Sequence, residues 1–290
     1  MARFLSINLH DGGSVVMRAS GPEEAIVFDG LAELLCLDVA DGESGASDVE
    51  LVAPDAMPEG RHVLRDQSLT EIAYAPDWRR VLIAGWKKTP RRPHYYDCCV
   101  WQAALNCACM NAALRGEDAV LAHCAVLETD CGAVLIFGES GMGKSTAFRR
   151  WLADGGRGRS DDMALLDFSG DDGAVRVRRM PTWSACREKK NEWDYPAREE
   201  LPLVGVFALG RSETGRDEIA DLSAARFFAQ CYRSMFYWHL FYAKDLPDAL
   251  KERLTAQIRR QTELVTSLFP PRVLLTALEG KLKQLIEDNL

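Results

Sequence analysis

Apolar residues come in short runs along the first third of the chain. Those at 3–9, 14–18, 25–28, 71–75 and 81–86 have the length and residue types of strands. Between them, 29–38 reads as a short helix opened by Asp29, and 40–48 as a loop rich in Gly, Ser and Asp. A basic, proline-broken connection follows at 86–95, then a mostly apolar helix at 96–114 that should lie buried against a sheet. Two apolar runs, 119–128 and 132–137, read as strands joined through Thr129-Asp130-Cys131-Gly132. The stretch Asp130 to Gly132 supplies hairpin chemistry. Further along, 145–152 reads as a helix, and strands are expected at 160–166, 174–180 and, strongly apolar and central, 201–210. The period turns helical over 221–268, and 274–290 reads as a last helix.

This pattern predicts an α/β protein: a mixed sheet with flanking helices, a β-rich N-terminal part and a helical C-terminal part. The expected divisions are a β-rich region at 1–95, a core at 96–215 and a helical region at 216–290. Residues 2–85 contain few long helices with which to build a core alone, so they are expected to complete the main sheet.

Composition narrows the setting. Hydrophobic content of 47% with 27% charged residues is that of a globular protein in water. A net charge of −8 disfavours nucleic acid as a partner. No apolar run approaches the roughly 20 residues that span a bilayer, and the N-terminus lacks the apolar core of a signal peptide. The cytoplasm is the expected compartment. None of the nine cysteines forms a C-x-x-C pair. Buried free thiols packed as small hydrophobes are expected.

The chemistry concentrates at Gly138-Glu139-Ser140-Gly141-Met142-Gly143-Lys144-Ser145-Thr146. Gly138, Gly143, Lys144 and Ser145 meet the G-x-x-x-x-G-K-[ST] frame, with a buried-type strand before it and a helix after it. The glycines let the backbone approach a polyphosphate, and loop amides at a helix N-terminus face the anion. Lys144 adds charge toward the β- and γ-phosphates, and Ser145 offers a hydroxyl to magnesium. A nucleoside triphosphate, with ATP and Mg2+ as the expected pair, is the predicted ligand.

A phosphoryl-transfer site also needs carboxylates beside the loop. Asp161-Asp162 stand at the start of the next strand. One could hold the metal and the other accept a hydroxyl proton. His123, on the strand before the loop strand, reads on its own as a core histidine. No N-K-x-D, L-S-G-G-Q, H-R-D or D-F-G motif follows, which disfavours Ras-like GTPases, transporter ATPases and protein kinases.

The block from His123 through Gly138-Glu139-Ser140-Gly141-Met142-Gly143-Lys144-Ser145, followed by Ser160-Asp161-Asp162, resembles HPr kinase/phosphorylase. That resemblance implies a P-loop kinase of the phosphoenolpyruvate carboxykinase-like type. It makes His123 an active-site residue, Asp161 the acceptor of the hydroxyl proton, and Asp162 with Ser145 the metal site. The chain length, the β-rich start and Pro181-Thr182-Trp183-Ser184 look like the ScmC proteins of the SynChlorMet cassette. This likeness implies a ribosomal-peptide tailoring role, with partner enzymes of a peptide-modification cluster. The hexameric members of the HPr kinase family admit a homo-oligomer.

The expectation is therefore an ATP-dependent kinase acting on a serine or threonine hydroxyl, on a peptide. The rivals are a kinase of a small metabolite such as free serine, and a nucleotide-dependent peptide-binding switch without transfer.

Overall fold

The computed structural model describes residues 2–10, 13–19, 21–35, 40–42, 48–56, 62–66, 70–74, 81–85, 107, 111, 118–170, 172–179, 200–239, 246–277 and 281–290. The chain divides into two compact units. One comprises Met1–Ala119, Trp183–Ala197 and His239–Leu254; the other comprises Val120–Thr182, Arg198–Trp238 and Thr255–Leu290.

The first unit contains β1 (Ala2–His10), β2 (Gly13–Ala19), α1 (Pro22–Leu35), β3 (Ala40–Gly42), β4 (Val49–Leu51), β5 (His62–Asp66), β6 (Thr70–Tyr74) and β7 (Val81–Gly85). Its strands form one sheet in the order β3-β1-β2-β4-β7-β6-β5. Val15, Met17, Val49, Leu51, Val81 and Ile83 are buried in it, with Phe28 and Ala32 of α1. Residues 25–28 were expected as a strand and instead lie within α1. Pro22 at the first helical position, with Glu23 and Glu24 behind it, is a helix-start signal that outweighs the apolar run. Phe28 and Ala32, one turn apart, face inward, while Ile26 remains 69% exposed, so only one side of the run is core.

This also corrects the expectation that residues 2–85 complete the main sheet. Among the described residues their strands pair only with one another. The helix expected at 29–38 starts seven residues earlier, at Pro22, and so becomes a longer element able to serve this sheet.

The second unit is built on β8 (Ala119–Thr129), β9 (Gly132–Phe137), α2 (Lys144–Ala153), β10 (Arg157–Ser160), β11 (Met163–Asp167), β12 (Arg176–Arg179), β13 (Glu200–Arg211), β14 (Glu218–Asp221), α3 (Ala224–Phe236), α4 (Asp248–Leu268), β15 (Arg272–Thr276) and α5 (Leu282–Glu287). The eight strands form a mixed sheet along the path β10-β8-β11-β12-β13-β15-β14, with β9 paired to β8 and β13. The β8–β9 hairpin turns at Asp130-Cys131, as expected, with Thr129 opposite Gly132. Strands β9, β13 and β15 run parallel. Every residue of β9 is buried, and its carboxyl end opens into the glycine loop.

The region 216–290 is not purely helical. Residues 274–290 were expected as one helix but divide between β15 and α5. Pro270-Pro271 end α4, and the apolar segment behind them finds a parallel partner in β13. No helix among the described residues is long and apolar enough to cross a membrane. Cys124 and Cys231 are buried free thiols, as expected, and Cys107 is buried, whereas Cys131 is exposed in the hairpin turn. Cys36, Cys98, Cys99, Cys109 and Cys186 lie outside the described residues, as do segment 86–95, most of the 96–114 helix and Pro181-Thr182-Trp183-Ser184.

Candidate active site

The glycine loop leaves β9 at the carboxyl edge of three parallel strands, the edge at which open α/β sheets hold ligands. Gly141 and Gly143 have φ of +80° and +106°, and an added Cβ at either would meet nothing within 4 Å. They are required for backbone conformation, not for space. Gly143 caps α2 without a side-chain bond. The first-turn amides of Lys144, Ser145 and Thr146 therefore have no helical acceptor, and they form the donor set that an anion uses. Glu139 and Ser140 are exposed and Met142 half-buried around the same turn. Lys144 is buried, and its Nζ donates to the carbonyls of Gly138 (2.9 Å) and Glu139 (3.2 Å). Burial pulls the lysine below its usual range, while the Asp162 carboxylate opposes that shift.

Strand register explains why His123 belongs here. Cys124 pairs with Phe137 across the hairpin, so His123 lies opposite Gly138, the first residue of the loop. His123 is 4% exposed. Its Nε2 stands 3.2 Å from Asp162 Oδ1. The backbone holds that aspartate in place. The carbonyl of Asp162 accepts the amide of Cys124 at 3.1 Å, and Ser160 Oγ accepts the amides of Asp162 (3.3 Å) and Met163 (3.0 Å). The Cys124 thiol beside this pair is driven well above the usual range by burial, so it is no nucleophile.

Asp161 turns elsewhere, as neighbours on an extended chain do. The Ser145 hydroxyl favours the charged form of its carboxyl group, and Asp161 Oδ1 is buried with no hydrogen-bond partner. Burial raises the Asp161 pKa first, and the adjacent Asp162 carboxylate adds to the rise. The residues expected in the site are thus brought together, but the pairing differs from expectation. Ser145 meets Asp161 rather than Asp162, and Asp162 meets His123. Two consecutive carboxylates at a strand mouth diverge, and a linear reading has no means to decide which goes where.

Magnesium was expected at this point. Ser145 and Asp161 present hard oxygen donors, one of them an orphaned buried carboxylate oxygen, and those suit it. No group of three or more His, Cys, Asp or Glu among the described residues could hold a metal alone. A magnesium that relies on phosphate oxygens and water needs no such group.

Helix α3 and the turn after it carry three site residues that the patterning missed. Gln230 Nε2 donates to the carbonyls of Phe137 (3.2 Å) and Leu209 (3.1 Å), at the ends of β9 and β13. Arg233 Nη1 meets Glu139 Oε1 at 2.6 Å. Tyr237, just past the helix, lies against His123 with ring centroids 4.0 Å apart. Their spacing of three and then four residues was visible as a helical face, but nothing in the sequence tied that face to the loop. Arg178, on β12, pairs with Glu200. The side chain of Arg179 lies outside the described residues.

Fold and site together define a mixed α/β protein whose glycine loop is flanked by a lysine, two carboxylates and a histidine. Over residues 97–290 the chain matches the family model of the SynChlorMet cassette protein ScmC, and it belongs to that family. No curated protein matches it.

Proposed function

We propose that this protein is an ATP-dependent kinase that transfers the γ-phosphoryl group to a serine or threonine hydroxyl of a ribosomally made precursor peptide. One observation carries the reading: two adjacent carboxylates beside the glycine loop have different partners, Ser145 for Asp161 and His123 for Asp162. A protein that only held a nucleotide would need the first arrangement and have no use for the second. The resemblance to HPr kinase/phosphorylase, with its phosphoenolpyruvate carboxykinase-like fold, supports the same chemistry. The word cassette in the family's name supports partner enzymes encoded nearby.

In this reading the loop amides and Lys144 hold the triphosphate. Ser145 and Asp161 would hold magnesium, which when bound neutralises charge between the β- and γ-phosphates. Asp162, steadied by His123, accepts the proton of the acceptor hydroxyl. This exchanges the roles first expected of the two aspartates. The raised pKa of Asp161 would by itself suit a base. Its carboxyl group, however, faces the hydroxyl that a magnesium would share, and a cation there offsets the burial. Catalysis is then mainly positioning and charge neutralisation.

The test is incubation with γ-labelled ATP, magnesium and a serine-containing precursor peptide, followed by mass spectrometry. One phosphoryl group on a peptide hydroxyl is the expected product. Transfer to free serine alone would move the reading to a metabolite kinase. Tight ATP binding without any transfer would refute it in favour of a switch.

A further inference from the structure

Arg233 occupies a position that the mechanism above does not use. Gln230, Arg233 and Tyr237 share one face of α3 and its extension. Gln230 anchors one end of that face to the ends of β9 and β13, and Tyr237 anchors the other against His123. The backbone carrying Arg233 is therefore fixed at both sides, between the glycine loop and the His123–Asp162 pair. Its guanidinium is not fixed. Arg233 and Glu139 are 68% and 60% exposed, so their 2.6 Å contact is a solvent-facing ion pair. Such pairs hold weakly.

Glu139 is itself an odd occupant. It puts a carboxylate on the loop whose amides and lysine are arranged to receive an anion. A polyphosphate arriving there meets one repelling charge and, bound to it, one attracting charge. Phosphate oxygens accept the forked guanidinium in two-point fashion and carry more charge than one carboxylate. Arg233 has a flexible stem and a partner that it can leave at little cost.

We propose that Arg233 reads the terminal phosphate of the bound nucleotide: its guanidinium exchanges Glu139 for the γ-phosphate, so that the site distinguishes triphosphate from diphosphate. The inference rests on the nucleotide reading of the glycine loop. The γ end is assigned because Tyr237, one turn beyond Arg233, touches the histidine beside the proposed proton acceptor. Glu139 then serves as a holding partner that keeps Arg233 over the loop.

Equilibrium binding of Mg-ATP and Mg-ADP to the full chain, to Arg233→Gln and to Glu139→Gln tests this. Both positions are exposed, and an unchanged melting temperature would verify that the fold is kept. Arg233→Gln should weaken ATP by roughly 10–100-fold, as expected for a lost charge-assisted bond, and leave ADP within about threefold. Glu139→Gln should tighten ATP severalfold by freeing the arginine. If Arg233→Gln binds ATP as the wild type does, or weakens ATP and ADP equally, the inference is overturned while the nucleotide reading stands. If the wild type binds neither nucleotide, the nucleotide reading fails and takes this inference with it.

Discussion

Asp162→Asn separates the two aspartates most cleanly. The change is isosteric, and the local backbone bonds do not depend on the side chain. The Asp162 carbonyl still accepts from Cys124, and Ser160 Oγ still accepts from Asp162 and Met163. What disappears is a basic oxygen 3.2 Å from His123 Nε2. A positioned general base contributes about 10²–10⁴-fold to rate. At about 1.36 kcal/mol per tenfold, the barrier should rise by roughly 2.7–5.4 kcal/mol. Nucleotide binding depends on the loop and Lys144, so ATP affinity should change little. The assay is single-turnover transfer from γ-labelled ATP to a peptide, run beside equilibrium ATP binding on the same preparations. If the variant keeps more than about a tenth of the wild-type rate, Asp162 is not the proton acceptor. If affinity falls by the same factor as rate, Asp162 holds ligand instead and the proposed exchange of roles is wrong.

Three further outcomes follow from the same geometry. Burial and then the Asp162 charge raise the Asp161 pKa, so the stability it contributes is complete below the unfolded carboxylate pKa and is lost as pH rises through the folded one. Asp161→Asn should therefore raise the melting temperature at neutral pH, with the gain fading toward about pH 4; an equal gain at both pH values would contradict this. Gly132→Ala places a Cβ 2.3 Å from the Pro202 carbonyl oxygen at φ +148° and should cost about 3 kcal/mol in urea unfolding. A cost below about 1 kcal/mol would show that β13 gives way. Arg150 pairs with Asp217, whose side chain is 5% exposed, and also donates to the Ala277 carbonyl at 2.6 Å. Arg150→Met should destabilise by about 3–5 kcal/mol through the stranded carboxylate, and adding Asp217→Asn should recover part of it, a double-mutant cycle that fails if nothing is recovered.

The strand–loop–helix around the glycine loop was readable because each signal there is local. The apolar run at 132–137, the two glycines with positive φ and the following helix all lie within one contiguous segment. His123 was not readable as a site residue from its neighbours, since only the hairpin register puts it opposite Gly138. Arg233 and Tyr237 were less readable still. They come from a helix about ninety residues later, and their contacts with Glu139 and His123 depend on how α3 crosses the sheet edge. The two misread runs, 25–28 and 274–276, show a different limit. A short apolar run carries no period of its own, and flanking prolines decided both cases, Pro22 opening a helix and Pro270-Pro271 closing one.

The electrostatics of the site argue for coupling between ligand binding and local stability. Lys144 is drawn below its ordinary pKa and Asp161 above its own, in each case first by burial. Both shifts mean that the folded chain works against charge at these two positions. The surrounding strands tolerate it because β8 and β9 are buried almost throughout and supply stabilisation that owes nothing to charge. A polyphosphate in the loop would raise Lys144 again, and a cation between Ser145 and Asp161 would lower Asp161. Each ligand component thus reverses one unfavourable shift, and the two together reverse both. On that reasoning Mg-ATP should stabilise the folded protein by more than magnesium or ATP does alone, and the excess should vanish when either Lys144 or Asp161 is replaced by a neutral residue.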